Sequence, residues 1–311
     1  MYYQLFNDNK YYNFNNINHL DTLNNKHDIK ILYCDNNQLT QLPELPVNLK
    51  KLYCYNNQLT QLPDLPNSLI ELDCNFNELT QLPKLPFNLI NLNCSYNKLT
   101  QLSQLPSKLI ELICTFNQLT QLPQLPDSLK KIYCYSNQLT ELPKLPYSLE
   151  ELCCNNNKLT KSPNLPINLK KLYYNNNQLT QLPQLPINLR HLNCESNQLT
   201  QLPQLPSNLK ELYCDNNKLT QLPHLPDSLT NLNCNTNQLN KLPELPNNLK
   251  FICCYNNSKN LHKYIIHCKL LYYYKNYNKY NYINTLTDLL NYTIENYYYF
   301  RIIKYYDKIL K

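Results

Sequence analysis

The sequence predicts a mainly β repeat solenoid of the α/β type, with one parallel sheet, extended returns and helical closure at its C-terminal end. Three observations carry this. A 20-residue unit recurs without slippage from Ile31 to Lys250, eleven full copies, and a twelfth starts at Phe251 and stops after Asn257. Each copy places apolar residues in alternation at one point only. Each copy then runs through two closely spaced prolines, except the one in which Ser103 replaces the first. Fixed self-similarity at this period is the mark of a stacked-coil protein, because one coil cannot bury its own apolar face.

The strand comes first in each unit. In Leu49-Lys50-Lys51-Leu52-Tyr53-Cys54 the last positions alternate apolar and polar, the period of a short half-buried strand. Leu52 and Cys54 point inward, and Lys51, Tyr53 and Tyr55 point outward. Equivalent strands can only run parallel, since every coil brings the chain back to the same side. At about 4.8 Å per strand, twelve make a sheet on the order of 55 Å long.

An asparagine column follows, including Asn57, Asn77, Asn97 and Asn117, and no copy departs from it. A carboxamide offers two donors and an acceptor, which suits it to backbone groups stranded where the chain leaves the sheet. The role expected of the column is structural. The same holds for the cysteine column, with Cys54, Cys74, Cys94 and Cys114 among its members. One cysteine per coil at an inward position reads as small apolar packing. Thiols in that number fit a reducing compartment.

The return path is Gln-Leu-Pro-x-Leu-Pro. Two prolines in four residues exclude a helix and favour an extended trace. Leu62 and Leu65 face the core there. Ser162 replaces the inward leucine of its column, and Tyr174 replaces the inward cysteine of the next strand. The pair reads either as compensation, with the ring filling room that the serine leaves, or as a tolerated local defect.

This unit, LxxLxCxxNxLTxLPxLPxx, resembles the leucine-rich repeats of the short 20-residue class with LPxLP returns. That class occurs in effectors of pathogenic bacteria, and similar arrays occur in large DNA viruses of amoebae. The resemblance covers 31–257. It implies a curved right-handed solenoid with the parallel sheet on the concave side and the proline-rich returns on the convex side. Some bacterial relatives add a ubiquitin-ligase domain with a Cys-x-Asp nucleophile. Here the one cysteine after the array, Cys268, stands in His-Cys-Lys, so that activity is not carried over.

Composition bounds the rest. The chain has no glycine, so every position of positive φ falls to another residue, most cheaply asparagine. Glycine-rich phosphate loops are excluded. The formal charge is +7, and residues 258–311 hold nine Lys/Arg against three Asp/Glu, so attraction to anions belongs to the tail. No signal peptide, no membrane span and no cofactor are expected. The expected location is intracellular, in the cytoplasm or that of a host cell, and the expected state is a monomer.

Three regions follow: a leader and cap (1–30), the array (31–257) and a basic, tyrosine-rich cap or tail (258–311). Apolar residues from Ile283 through Leu286, Leu289, Leu290 and Ile294 recur near helical spacing, predicting a helical C-terminal cap. The alternative is that the tail's interleaved Tyr and Lys attach the array to nucleic acid or an anionic surface. Cys253, Cys254, His262, His267 and Cys268 are close in sequence but lack zinc-site spacing, and no metal is expected.

Function is expected on the outward strand positions, which drift between copies while the inward columns hold. Candidate partner-binding residues are Tyr33, Tyr53, Tyr55, Asp73, Tyr133, Tyr135, Tyr173, Glu195, Tyr213 and Asp215. Tyrosine and asparagine give rigid contact area with adaptable hydrogen bonding, a composition shared with binding paratopes. No acid, base and nucleophile converge, so the chain is expected to bind an unknown protein partner without catalysis, and nucleic acid is not expected on the array.

Overall fold

The computed structural model describes residues 1–5, 11–13, 16–258 and 261. The expected helical cap, the basic-tail alternative and three members of the Cys/His group (His262, His267 and Cys268) lie outside the described residues.

Two strands, β1 (Tyr2–Leu5) and β2 (Tyr11–Asn13), precede two short 3-10 turns at Ile17–Thr22 and Lys26–Asp28. Asn16 caps the first turn by accepting from the Asn18 N–H at 3.0 Å. Strand β3 (Ile29–Tyr33) opens the array. From β4 (Lys51–Tyr53) to β14 (Phe251–Cys253) each coil adds one strand of three residues. The twelve strands β3–β14 lie in sequence order and pair in parallel, and β1 and β2 extend the sheet antiparallel beyond β3.

The register never slips: Leu52 sits opposite Leu72, and Leu72 opposite Leu92. A one-residue slip would turn every inward leucine to solvent, so burial itself fixes the register. The strands are shorter than their hydrogen-bond ladder. Ile70 N–H donates to Lys50 O at 2.8 Å before the strand, and Cys54 N–H to Asp73 O at 2.9 Å and Asn56 N–H to Asn75 O at 3.0 Å after it. Neighbouring coils are therefore bonded across about seven residues.

One apolar core runs the length of the stack. Leu49, Leu52, Cys54 and Leu59 are fully buried, and the same positions repeat in each coil. The cysteine column is buried, and its members from Cys34 to Cys234 are free thiols. Burial pushes the Cys34 and Cys94 thiols up to about 12, and raises the others.

The asparagine column closes the loop that follows. Asn137 donates through Nδ2 to the carbonyls of Cys114, Cys134 and Tyr135, and its Oδ1 accepts from Leu119 N–H at 3.0 Å. Asn97, Asn117 and Asn157 repeat the same set. Each side chain thus ties its own coil to the one before. Among the described residues, no buried side-chain nitrogen or oxygen lacks a partner.

Tyr174 is fully buried, and its hydroxyl lies 2.6 Å from Ser162 Oγ. The ring occupies the space that a leucine at 162 would claim.

Candidate protein-binding face

The alternation that buries Leu52 and Cys54 leaves Lys51, Tyr53 and Tyr55 half exposed on the outer face of the sheet. Tyr33, Tyr133, Tyr135, Tyr173, Glu195, Tyr213 and Asp215 occupy equivalent half-exposed positions, as does Asp73. The ten candidate residues therefore share one face but do not converge on one point. Not every outward position is open. Ser95, Thr115 and Asn235 are buried.

Charges on this face are matched locally. Lys51 pairs with Glu71 at 2.8 Å, and Tyr53 donates its hydroxyl to the same carboxylate at 2.7 Å. Lys171 pairs with Glu151 at 3.0 Å, and Tyr133 donates to it at 2.8 Å. Burial opposes ionisation of Glu71 and Glu151, but the bonds from lysine and tyrosine outweigh it and hold both carboxyls below their usual range. Burial and the acceptor carboxylate push both phenols upward. Lys131 reaches Glu111 at 3.7 Å, not Glu151, which the Lys171–Tyr133 arrangement already holds. His191 meets Glu211 at 3.0 Å.

Asp215 is different. Burial, and then the charge of Glu195, raise its carboxyl to about 6. A carboxyl raised above its unfolded value destabilises the fold wherever it is charged. That penalty is complete above pH 6 and disappears below the ordinary Asp value of about 4. Asp215→Asn should therefore raise stability by about 1 kcal/mol near neutral pH, a figure discounted because the group is half exposed. The gain should vanish in urea titrations at about pH 4.

One feature of the face has no counterpart in the repeat's constant columns. The residue before each column asparagine has φ near +50°, as at Asn56, Asn156 and Asn176. Asparagine was the expected occupant and fills six of these twelve places. Phe76, Tyr96 and Phe116 fill three consecutive ones, each at φ 50°. A left-handed backbone costs a bulky residue about 1–2 kcal/mol. Their rings offset part of that by stacking. Phe76 and Tyr96 lie 4.0 Å apart at 10°, Tyr96 and Phe116 4.2 Å apart at 15°, and Phe116 meets Tyr135 edge-on at 5.4 Å. Stacked pairs contribute about 0.5–1.5 kcal/mol each. The rings remain 38–49% exposed, so the ridge is a surface feature rather than core.

At the start of this ridge lies an open cavity of about 560 Å³, lined by Asn36, Tyr55, Asn56, Asp73, Asn75 and Phe76. Burial raises the Asp73 carboxyl, although the Asn75 and Asn93 amides donate to it.

Among the described residues no three His, Cys, Asp or Glu side chains stand together as metal ligands, and no helix is long and apolar enough to cross a membrane.

A parallel sheet closed by an asparagine ladder and proline-rich returns defines a leucine-rich-repeat solenoid. The chain belongs to the leucine-rich-repeat family. The family model "Leucine Rich repeats (2 copies)" matches residues 187–227. Among solved structures, the chain is similar to YopM from Yersinia enterocolitica, at 41% identity and a TM-score of 0.75 over 76% of this chain and 52% of that one. It is 31% identical to a YopM described as a leucine-rich effector protein from Yersinia pestis, over 75% of this chain and 87% of that one, with a TM-score of 0.48. The functional domain of InlJ from Listeria monocytogenes, described as including a cysteine ladder, matches at 28% identity and a TM-score of 0.65, over 76% of this chain and 55% of that one. The chain thus spans about half the length of the first of these relatives. A comparison with curated protein sequences finds no match.

Proposed function

We propose that the protein is a non-catalytic interaction module that binds another protein on the outward face of its parallel sheet, the concave side in this fold. The observation that carries this is the contrast between faces. Inward columns hold nearly constant through the array, whereas outward positions vary and keep tyrosines half exposed. Leucine-rich-repeat proteins use this surface as an interaction scaffold. Rigid aromatic side chains lose little entropy on docking. The column of free buried thiols supports a reducing compartment as the place of action.

The test is affinity capture with the full chain and with a variant carrying Tyr53, Tyr55, Tyr133 and Tyr135 changed to Ala. Both should melt cooperatively. The expected result is a protein retained by the native chain and lost from the variant. Equal retention by both would place binding elsewhere.

A further inference from the structure

The outward face carries more acid than base although the chain as a whole has a net charge of +7. Its three columns hold eight carboxylates and three lysines, and each lysine is matched to a glutamate. Among the described residues, Asp35, Asp73, Glu195 and Asp215 take part in no ion pair. Asp73 stands in the wall of the cavity, and Asp35 lies beside the hydroxyl of Tyr55, another wall residue. The face therefore complements a cationic partner, most strongly at this end.

The cavity also has a flat aromatic wall. One face of Phe76 is covered by Tyr96, and the stack stops there because the preceding coil has Asn56 at that place. The ring then borders the cavity, which Tyr55 also lines. Asp73 accepts from two neutral amides, those of Asn75 and Asn93, and these fix the carboxylate while leaving its charge unmatched.

We propose that this cavity is the arginine-binding socket of the partner site, taking one arginine side chain from an extended segment of the bound protein. The inference rests on the protein-binding reading above and names the chemistry of the partner. The guanidinium lies flat against Phe76 and Tyr55 and presents its nitrogen edge to Asp73. A planar cation with a donor fork satisfies both surfaces at once, whereas the point charge of lysine satisfies only the carboxylate. The segment then leaves the open cavity along the Tyr96–Phe116–Tyr135 ridge. The left-handed phenylalanines also fit this role. Asparagine serves the backbone in six other coils, so the rings at 76, 96 and 116 are not required by the turn.

The experiment selects binders from a random dodecapeptide display library on the immobilised full chain. It then measures the affinity of the enriched peptides, made synthetically, by fluorescence anisotropy. Three variants are compared: Asp73→Asn, Phe76→Asn and the pair Tyr133→Ala with Tyr135→Ala. Phe76→Asn installs the residue that six coils already use, so the fold is retained, and a thermal melt confirms this.

The expected result is enrichment of arginine at one fixed position. Asp73→Asn and Phe76→Asn should each weaken binding at least tenfold. Replacing that arginine by citrulline should do the same, and replacing it by lysine should cost less. Peptides without a fixed arginine, or with affinity unchanged by Asp73→Asn and Phe76→Asn, overturn the socket. If such peptides still fail on the Tyr133/Tyr135 variant, the binding face stands without its socket. If no peptide is enriched, both readings fall.

Discussion

Asn137→Ala lowers the unfolding free energy by about 2–4 kcal/mol in urea titrations, whereas Gln138→Ala, one position along and exposed, changes it by about 0.5 kcal/mol or less. The difference lies in what each side chain leaves behind. Asn137 donates to three carbonyls and accepts from Leu119 N–H, and all but the bond to Tyr135 O are buried. An alanine strands Leu119 N–H away from water, at about 1–3 kcal/mol. It also removes three further bonds from carbonyls that keep one donor each, Asn117 Nδ2 on Cys114, Asn157 Nδ2 on Cys134 and Phe116 N–H on Tyr135. Asn137→Asp should be no better. It keeps the acceptor but sets a carboxylate against the carbonyls that the amide had served. A loss under about 1 kcal/mol for Asn137→Ala would mean that water reaches this loop.

The second large effect is a coupling. Tyr174→Cys restores the repeat's usual residue, yet it should destabilise by about 3–5 kcal/mol, because it empties the volume of a buried phenol ring. Ser162→Leu also restores the usual residue. It should destabilise by about 1–3 kcal/mol through overpacking, and by more if the Tyr174 hydroxyl, now 2.6 Å from Ser162 Oγ, loses its partner. The double variant rebuilds the pattern of the neighbouring coils and should lie within about 1 kcal/mol of the native chain. A double-mutant cycle reads this as several kcal/mol of coupling. Additive losses would show that the two departures are independent.

The fold was legible because burial writes the same demand into every coil. Leu52, Cys54 and Asn57 each face a neighbour of their own type, so their columns tolerate little change and stand out without an alignment. The same logic exposed the Ser162–Tyr174 exchange. The candidate face was less legible. Phe76, Tyr96 and Phe116 sit at a position that elsewhere takes Asn, Ser or Thr, and with no glycine in the chain nothing marked it as left-handed. Their stacking depends on three adjacent coils rather than on any column. Ser95 and Thr115 read as outward from alternation alone, yet both are buried, as is Asn235 in the same column. Which glutamate Lys131 chooses was undecidable from spacing, since Glu111 and Glu151 flank it equally in the sheet.

The central claim is that one inward surface builds the stack and one outward surface is free to bind. Its most direct test is residue-resolved alkylation of the native chain with iodoacetamide, read by peptide mass spectrometry. Cys153 lies half exposed on the outer face, with burial pushing its thiol to about 12, while Cys54, Cys74, Cys94 and Cys114 are fully buried one per coil. The expected result is slow labelling of Cys153, protection of the column until urea unfolds the array, and then labelling of every column thiol. Column cysteines that label as fast as Cys153 in the native chain, or that are recovered as disulfide-linked pairs, would contradict it.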